Sequence, residues 1–181
     1  MADAKIPGGP GGGPPPRLNT DAGKTDSDTI EQRIPALLDK WSKGETSLRD
    51  IYGYTADELY GISTQGYTLL MEGKLEAAKS LFEGLVALDP KSDYYYRALG
   101  VIYHRLGDGE RAIRQFGYAI RVQPADLISY VNRAEIYMQQ KNFPLAQADL
   151  QKVIELGGET HPMVRKAQAM VRMVPTTRRR A

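Results

Sequence analysis

A period of 34 residues runs through this chain and limits its fold more than any other feature. Gly66, Gly100 and Ala134 stand 34 apart, as do Ala78, Ala112 and Ala146; Phe82, Phe116 and Leu150; and Leu85, Ala119 and Val153. Pro90 and Pro124 close the first two copies, and Gly158 takes the same slot in the third. Three tandem copies therefore run from about Leu59 to Gly158. A fixed interval of this size marks a stacked-repeat fold, in which one copy cannot bury its apolar faces alone but three together can.

The flanks carry their own signals. Residues 1–26 are rich in glycine and proline ("PGGPGGGPPP") and then in small polar residues, so the sequence predicts a disordered tail that buries too little apolar surface to offset ordering. A proline-rich ligand for an SH3-like groove is the alternative, but the glycines interrupt any polyproline helix. Residues 27–54 read as an N-terminal helical segment: Ile30, Ile34, Leu37, Leu38 and Trp41 share one helical face, with a kink or a late start expected at Pro35. Thr55 and Glu58 form a capping box, with Tyr54 and Leu59 at the staple positions, so a helix should begin at Ala56. After the third copy, Thr160 or His161 caps a further helix with Pro162 in its first turn, and Met163, Ala167, Met170, Val171 and Val174 recur at helical spacing. This final helix would hide the exposed apolar end of the stack, completing a repeat domain over 55–175, followed by a frayed basic end at 176–181.

Composition excludes several classes of function. The formal net charge is only +2 with 25% charged residues, so the basic field that drives nucleic-acid binding is missing. There is no cysteine, which removes disulfides and thiolate metal sites and suits a reducing cytosol. The opening segment lacks an apolar h-region, and no stretch approaches the roughly 18 unbroken apolar residues of a membrane span. The expectation is a soluble intracellular chain without stable membrane insertion. No nucleophile, acid/base pair, metal cluster or phosphate cradle emerges, so neither catalysis nor a cofactor is expected. His104 and His161 stand 57 positions apart without a second ligand at helical spacing, "LGDGER" reads as a turn, and Asp57, Glu58, Glu72, Glu76 and Glu83 read as solvated faces.

The middle copy, "RALGVIYHRLGDGERAIRQFGYAIRVQP", resembles the tetratricopeptide repeat, a helix-turn-helix unit, at Tyr96, Leu99, Gly100, Tyr103, Ala112, Phe116, Ala119 and Pro124. The fold class this implies is all-α: three tandem helix-turn-helix repeats with an N-terminal helical segment and a C-terminal capping helix. Small residues at Gly100 and Ala112 let paired helices approach, Tyr103 and Phe116 fill space between copies, and the proline stops the second helix. Copy three departs at Arg133, where leucine is usual, and at Gly158, where a left-handed cap is expected to end the helix.

By that resemblance the first helix of each copy lines a concave groove at Tyr60, Ser63, Tyr67 and Leu70; at Tyr94, Arg97, Val101 and His104; and at Ile128, Val131, Glu135 and Met138. Some of these residues could instead pack against the N-terminal segment or a second subunit. Adjacent helical residues point about 100° apart, so Tyr96 is expected in the core, Tyr94 in the groove, and Tyr95 outward or in an oligomer contact. A carboxylate clamp is disfavoured, because Ser63, Tyr67, Ala98, Ile128 and Asn132 supply one asparagine and no cation. An apolar groove favours an extended ligand with apolar anchors.

A narrower resemblance spans Gly44 to Val174. "GETSLRDIYGYTADELYGISTQGYTLLMEGKLEAAKSLFEGLVALDP" and "VRKAQAMVRMV" are similar to the opening and closing patterns of the class II chaperones of bacterial type III secretion. The resemblance implies a cytoplasmic, ATP-independent chaperone that holds hydrophobic translocator proteins by an extended segment in the groove, with dimers formed through the N-terminal region. It points to Tyr60, Tyr67, Leu70, Tyr94, Val101 and Val131 as groove walls, with Arg97 and Glu135 orienting the ligand and His104 and Met138 beside them. A generic tetratricopeptide adaptor or scaffold is the competing expectation.

Overall fold

The period seen in the sequence reappears in the backbone of the turns. In the computed structural model, which describes residues 35, 36, 38–158 and 160–175, Gly73, Gly107 and Lys141 have φ of 77°, 82° and 59°. These positions are again 34 apart. The amide that follows each one reaches back into the preceding helix: Lys74 N donates to Leu69 O at 2.9 Å, Asp108 N to Tyr103 O at 2.9 Å, and Asn142 N to Tyr137 O at 2.8 Å. A left-handed residue at this place satisfies carbonyls that a helix end leaves open, and it reverses the chain. Glycine does so without Cβ strain; Lys141 does so at a cost.

The helices are α1 (Leu48–Tyr52), α2 (Ala56–Met71), α3 (Leu75–Leu88), α4 (Asp93–Arg105), α5 (Gly109–Val122), α6 (Leu127–Gln139), α7 (Phe143–Leu156) and α8 (Pro162–Met173). Among the described residues there is no strand. The three copies are α2/α3, α4/α5 and α6/α7. Helix starts follow the side-chain caps. The Thr55–Glu58 capping box opens α2 at Ala56, as the sequence requires, with Glu58 N donating to Thr55 Oγ1 at 3.2 Å and Thr55 N to Glu58 Oε2 at 2.8 Å. A second box, Ser47 with Asp50, opens α1. Asp108 caps α5, and His161 Nδ1 accepts from Met163 N at 3.1 Å ahead of Pro162 in α8.

The chain divides after Tyr95 into two compact units. In the first, described over 35–95, Leu59, Leu70, Ala78, Phe82 and Leu85 are buried at 2% exposure or less. In the second, described over 96–175, Ala112, Phe116 and Ala119 are buried in copy two, and Val131, Ala134, Ala146, Leu150, Val153, Val164 and Ala167 form one apolar cluster. Small residues admit large ones at matching places. A Cβ on Gly66 would lie 2.9 Å from the Phe82 ring, and one on Gly100 would lie 2.6 Å from the Phe116 ring. Copy three uses Ala134 with Leu150, so the added methyl is balanced by the loss of a ring.

Some expectations are corrected. Tyr95 is the buried member of the tyrosine run, at 8% exposure, while Tyr94 and Tyr96 are half-buried. The reason is aromatic packing: Tyr95 lies 6.4 Å from Phe82 and 6.0 Å from Tyr94, whereas Tyr96 packs on Tyr118 at 5.4 Å. Burial, aided by the Asp89 carboxylate and opposed by Arg49, raises the Tyr95 hydroxyl above its ordinary range. Gly158 forms no left-handed cap. Gly157 is the cap residue of α7, at φ −94° and ψ 142°, and a Cβ there would meet Val164 Cγ2 at 2.3 Å, so close approach selects the glycine. Phe116 packs inside its own copy, against Gly100.

Of the N-terminal segment, Pro35, Ala36 and 38–42 are helical and exposed; the expected tail at 1–26, residues 27–34 and the end at 176–181 lie outside the described residues.

Candidate functional site: the inner faces of the first helices

In the first unit, Tyr60 and Tyr67 lie seven residues apart on α2, so both share one stripe of the helix, and both are half-buried. Ser63 lies on the same stripe, buried, with its hydroxyl donating to Tyr60 O at 2.8 Å. Leu70 is buried at 1% exposure. Tyr94 is half-buried and meets the Phe82 ring edge-on at 6.0 Å. Tyr60, Tyr67 and Tyr94 are thus each partly exposed.

In the second unit, the expected polar residues are engaged within the chain. Arg97 Nη1 lies 3.0 Å from Asp126 Oδ1, with the two side chains 9% and 4% exposed. Asp126 also starts α6, accepting from Ile128 N at 3.2 Å and from Ser129 Oγ at 2.5 Å. His104 Nε2 meets Gln139 Oε1 at 3.0 Å, joining α4 to α6, and Lys166 Nζ lies 2.5 Å from Glu135 Oε1, joining α8 to α6. Arg97 and Glu135, expected to orient a ligand, therefore tie neighbouring helices together. Val101 and Val131 are buried at 0% and 1%, and Met138 is half-buried. Asn132, on α6, is 6% exposed.

Arg133, the departure from leucine, has a structural partner on the second helix of its copy. Its Nε donates to Asp149 Oδ2 at 2.8 Å and its Nη2 to Asp149 Oδ1 at 2.7 Å, a parallel two-bond fork. The rings of Tyr130 and Tyr137 flank the guanidinium carbon at 5.8 and 5.9 Å. Burial works against the Arg133 charge, but the Asp149 bonds and charge outweigh it and hold the guanidinium above its ordinary range.

Sequence reasoning passed over Asp126, Gln139, Lys166 and Asp149. For Asp126 a signal existed, because an acidic residue just before an apolar helical run is an N-cap. The other three pair across helices, and no local pattern marks them. Among the described residues, no group of three or more His, Asp or Glu is placed to hold a metal ion, and no helix is long and apolar enough to cross a membrane.

Paired helices, recurring left-handed turns and small-to-aromatic packing at a 34-residue interval define a helical-repeat protein. The tetratricopeptide repeat model matches residues 64–119 and 105–159, and the chain belongs to that family. Among curated proteins it is similar to the UPF0162 protein YchA of Escherichia coli, 30% identical over an alignment of 108 residues that covers 55% of this chain and 40% of that protein. The chain thus spans less than half the length of that relative. Its fold is similar to a T3SS complex from Aeromonas hydrophila, with TM-score 0.71, 22% identity, and 77% of this chain and 95% of that chain covered. It is also similar to the Yersinia enterocolitica type III secretion chaperone SycD in complex with a peptide of the translocator YopD. That match has TM-score 0.63 and 20% identity, and covers 66% of this chain and 94% of SycD, which has also been solved as an alternative dimer.

Proposed function

We propose that this chain is an ATP-independent type III secretion chaperone that holds a hydrophobic translocator protein by an extended segment laid along the inner faces of its repeats. The observation that carries this reading is the likeness to nearly the whole length of SycD, a chaperone solved with a translocator peptide. Half-buried Tyr60, Tyr67, Tyr94 and Met138 support it by offering apolar surface on the first helices of the copies. Each apolar anchor seated there contributes roughly 1.5–3 kcal/mol before ordering costs. Holding by mass action then suffices, since a partner that occupies an exposed apolar segment lowers its free concentration without fuel. The protein works in the bacterial cytoplasm and catalyses no reaction; both histidines already serve the fold, His104 through Gln139 and His161 as a cap. Exposed Leu38, Trp41, Tyr52 and Tyr54 give the N-terminal region apolar surface for a second copy.

The test is co-expression with hydrophobic translocator proteins of type III secretion systems. Each should become soluble and co-purify, and Tyr67→Asp or Met138→Asp should weaken retention while helix content by circular dichroism stays unchanged. Val101→Asp does not serve here, because a charge at a fully buried position would unfold the unit first. Translocators that stay insoluble, while the chain captures unrelated soluble proteins, would favour the adaptor.

A further inference from the structure

On the outer face of α5 the repeat departs from its own pattern. Arg111, Arg114, Tyr118 and Arg121 follow one another at intervals of three, four and three, so they form one exposed stripe on that helix. The matching positions are also exposed in the other copies, but they hold Ala77, Ser80, Gly84 and Ala87 on α3 and Leu145, Ala148, Lys152 and Glu155 on α7. Copies one and three build the same helix pair without this set of arginines and a ring, so the repeat fold does not require it in copy two. The charges differ in state as well. On α7, Lys152 Nζ donates to Glu155 Oε2 at 2.8 Å, and the two neutralise each other. On α5, Arg111 is bound to Asp108, but Arg114 and Arg121 form no ion pair among the described residues. Arg121 instead rests on the Tyr118 ring, its guanidinium carbon 4.4 Å from the centroid, and Tyr118 packs on Tyr96 at 5.4 Å.

We infer that this stripe docks an acidic helical segment of a partner protein: carboxylates seven residues apart on the partner meet Arg114 and Arg121, and an aliphatic side chain between them covers Tyr118 and Val122, which are 39% and 38% exposed. Seven residues span roughly 10 Å along a helix, so two turns of a facing helix match the two arginines. Tyrosine and arginine are the side chains on which interface energy concentrates, and stacking on Tyr118 holds the Arg121 head in place before binding, which lowers the ordering cost. The wider field agrees. Residues 96–175 hold eleven lysines and arginines against seven aspartates and glutamates, a net charge of +4 in a chain whose total is +2, so an acidic partner is drawn to this unit. A bilayer surface fits less well, because the stripe offers a tyrosine and a valine in place of the long apolar side chains that insert among lipids. A nucleic acid would need a longer run of unpaired cations. The stripe lies on a second helix and the groove positions lie on first helices, so the inference does not rest on the chaperone reading.

The experiment uses the full chain and a labelled, alanine-based helical peptide with glutamates at i and i+7 and leucines at i+3 and i+4, titrated by fluorescence anisotropy. Beside it run a peptide of the same composition with those residues dispersed around the helix, a version with lysines for the glutamates, and vesicles of phosphatidylserine and phosphatidylcholine. The patterned peptide should bind about tenfold more tightly than the dispersed one, and Arg114→Glu with Arg121→Glu should cost about tenfold or more. That double variant should in turn prefer the lysine peptide, which a loss of fold could not produce. Lys152→Glu, at the matching face of copy three, and Tyr67→Asp should stay within about twofold of wild type. Equal binding of the two glutamate peptides, or none, overturns the inference, and so does a double variant within about twofold of wild type. A loss caused by Tyr67→Asp would seat the peptide in the groove and overturn it too. Vesicle binding that the double variant abolishes, with no peptide bound, would make a membrane the occupant; a wild-type assembly in sedimentation velocity that the double variant loses would make it a second copy, and either result refutes the acidic helix.

Discussion

Arg133 and Asp149 allow the sharpest test of how copy three is held together. The pair is bidentate at 2.7 and 2.8 Å, with side chains 20% and 8% exposed. Replacing Asp149 with alanine would leave a largely buried guanidinium without its counter-charge. Breaking a buried pair on one side costs about 3–5 kcal/mol. The residual exposure of Arg133 lets water offset part of this, so about 2–4 kcal/mol is expected. The double replacement Arg133→Leu with Asp149→Leu removes both charges and restores the residue usual in the repeat, and it should return to within about 1 kcal/mol of wild type, because a buried pair gains little over well-packed apolar side chains. Arg133→Lys keeps the charge but loses the fork, so it should fall between. Urea unfolding followed by helical circular dichroism reads all three variants. A loss below about 1 kcal/mol for Asp149→Ala, or a double variant no better than the single, would refute the reasoning.

The remaining predictions address packing, turn and pH. Gly100→Ala drives a methyl into the Phe116 ring and should cost about 1–3 kcal/mol, whereas Gly84→Ala, on an exposed face of α3 with nothing within 4 Å, should gain about 0.5–1 kcal/mol; thermal melts of the pair decide it. Lys141→Gly relieves the left-handed strain that copies one and two avoid and should raise stability by several tenths of a kcal/mol, about 1 at most, in the same melts. The Thr55 backbone amide and hydroxyl hold Glu58 below its ordinary value of 4.5. A lowered folded-state value gives stability that is present above that ordinary value and is lost as pH falls through the lowered one. Acid unfolding should therefore steepen below about pH 4.5, and Glu58→Gln should flatten that slope while leaving the neutral-pH helix content in place.

Much of this architecture could be read before any coordinates, because it is set locally or by period. The Thr55–Glu58 box fixes the start of α2 within four residues of chain. Gly66, Gly100, Phe82 and Phe116 announce tight helix pairs because a missing Cβ and a large ring complement each other at a constant interval. The tyrosine run was misassigned for a related reason. Helical spacing separates three directions about 100° apart, but which of them is buried depends on where Phe82 and Tyr118 come to lie.

The candidate site was legible as a set of positions and not as a set of states. Tyr60, Tyr67 and Tyr94 stay half-buried, but Arg97, His104 and Glu135 are occupied by partners 29, 35 and 31 residues further along the chain. The sequence alone determined the all-helical repeat, its interval and the caps at Thr55 and His161, since each depends on residues that are neighbours in the chain or recur within one helix. Only the tertiary structure decided which inner side chains are engaged, because hydrogen bonds between helices depend on distances of a few ångströms that no linear spacing encodes.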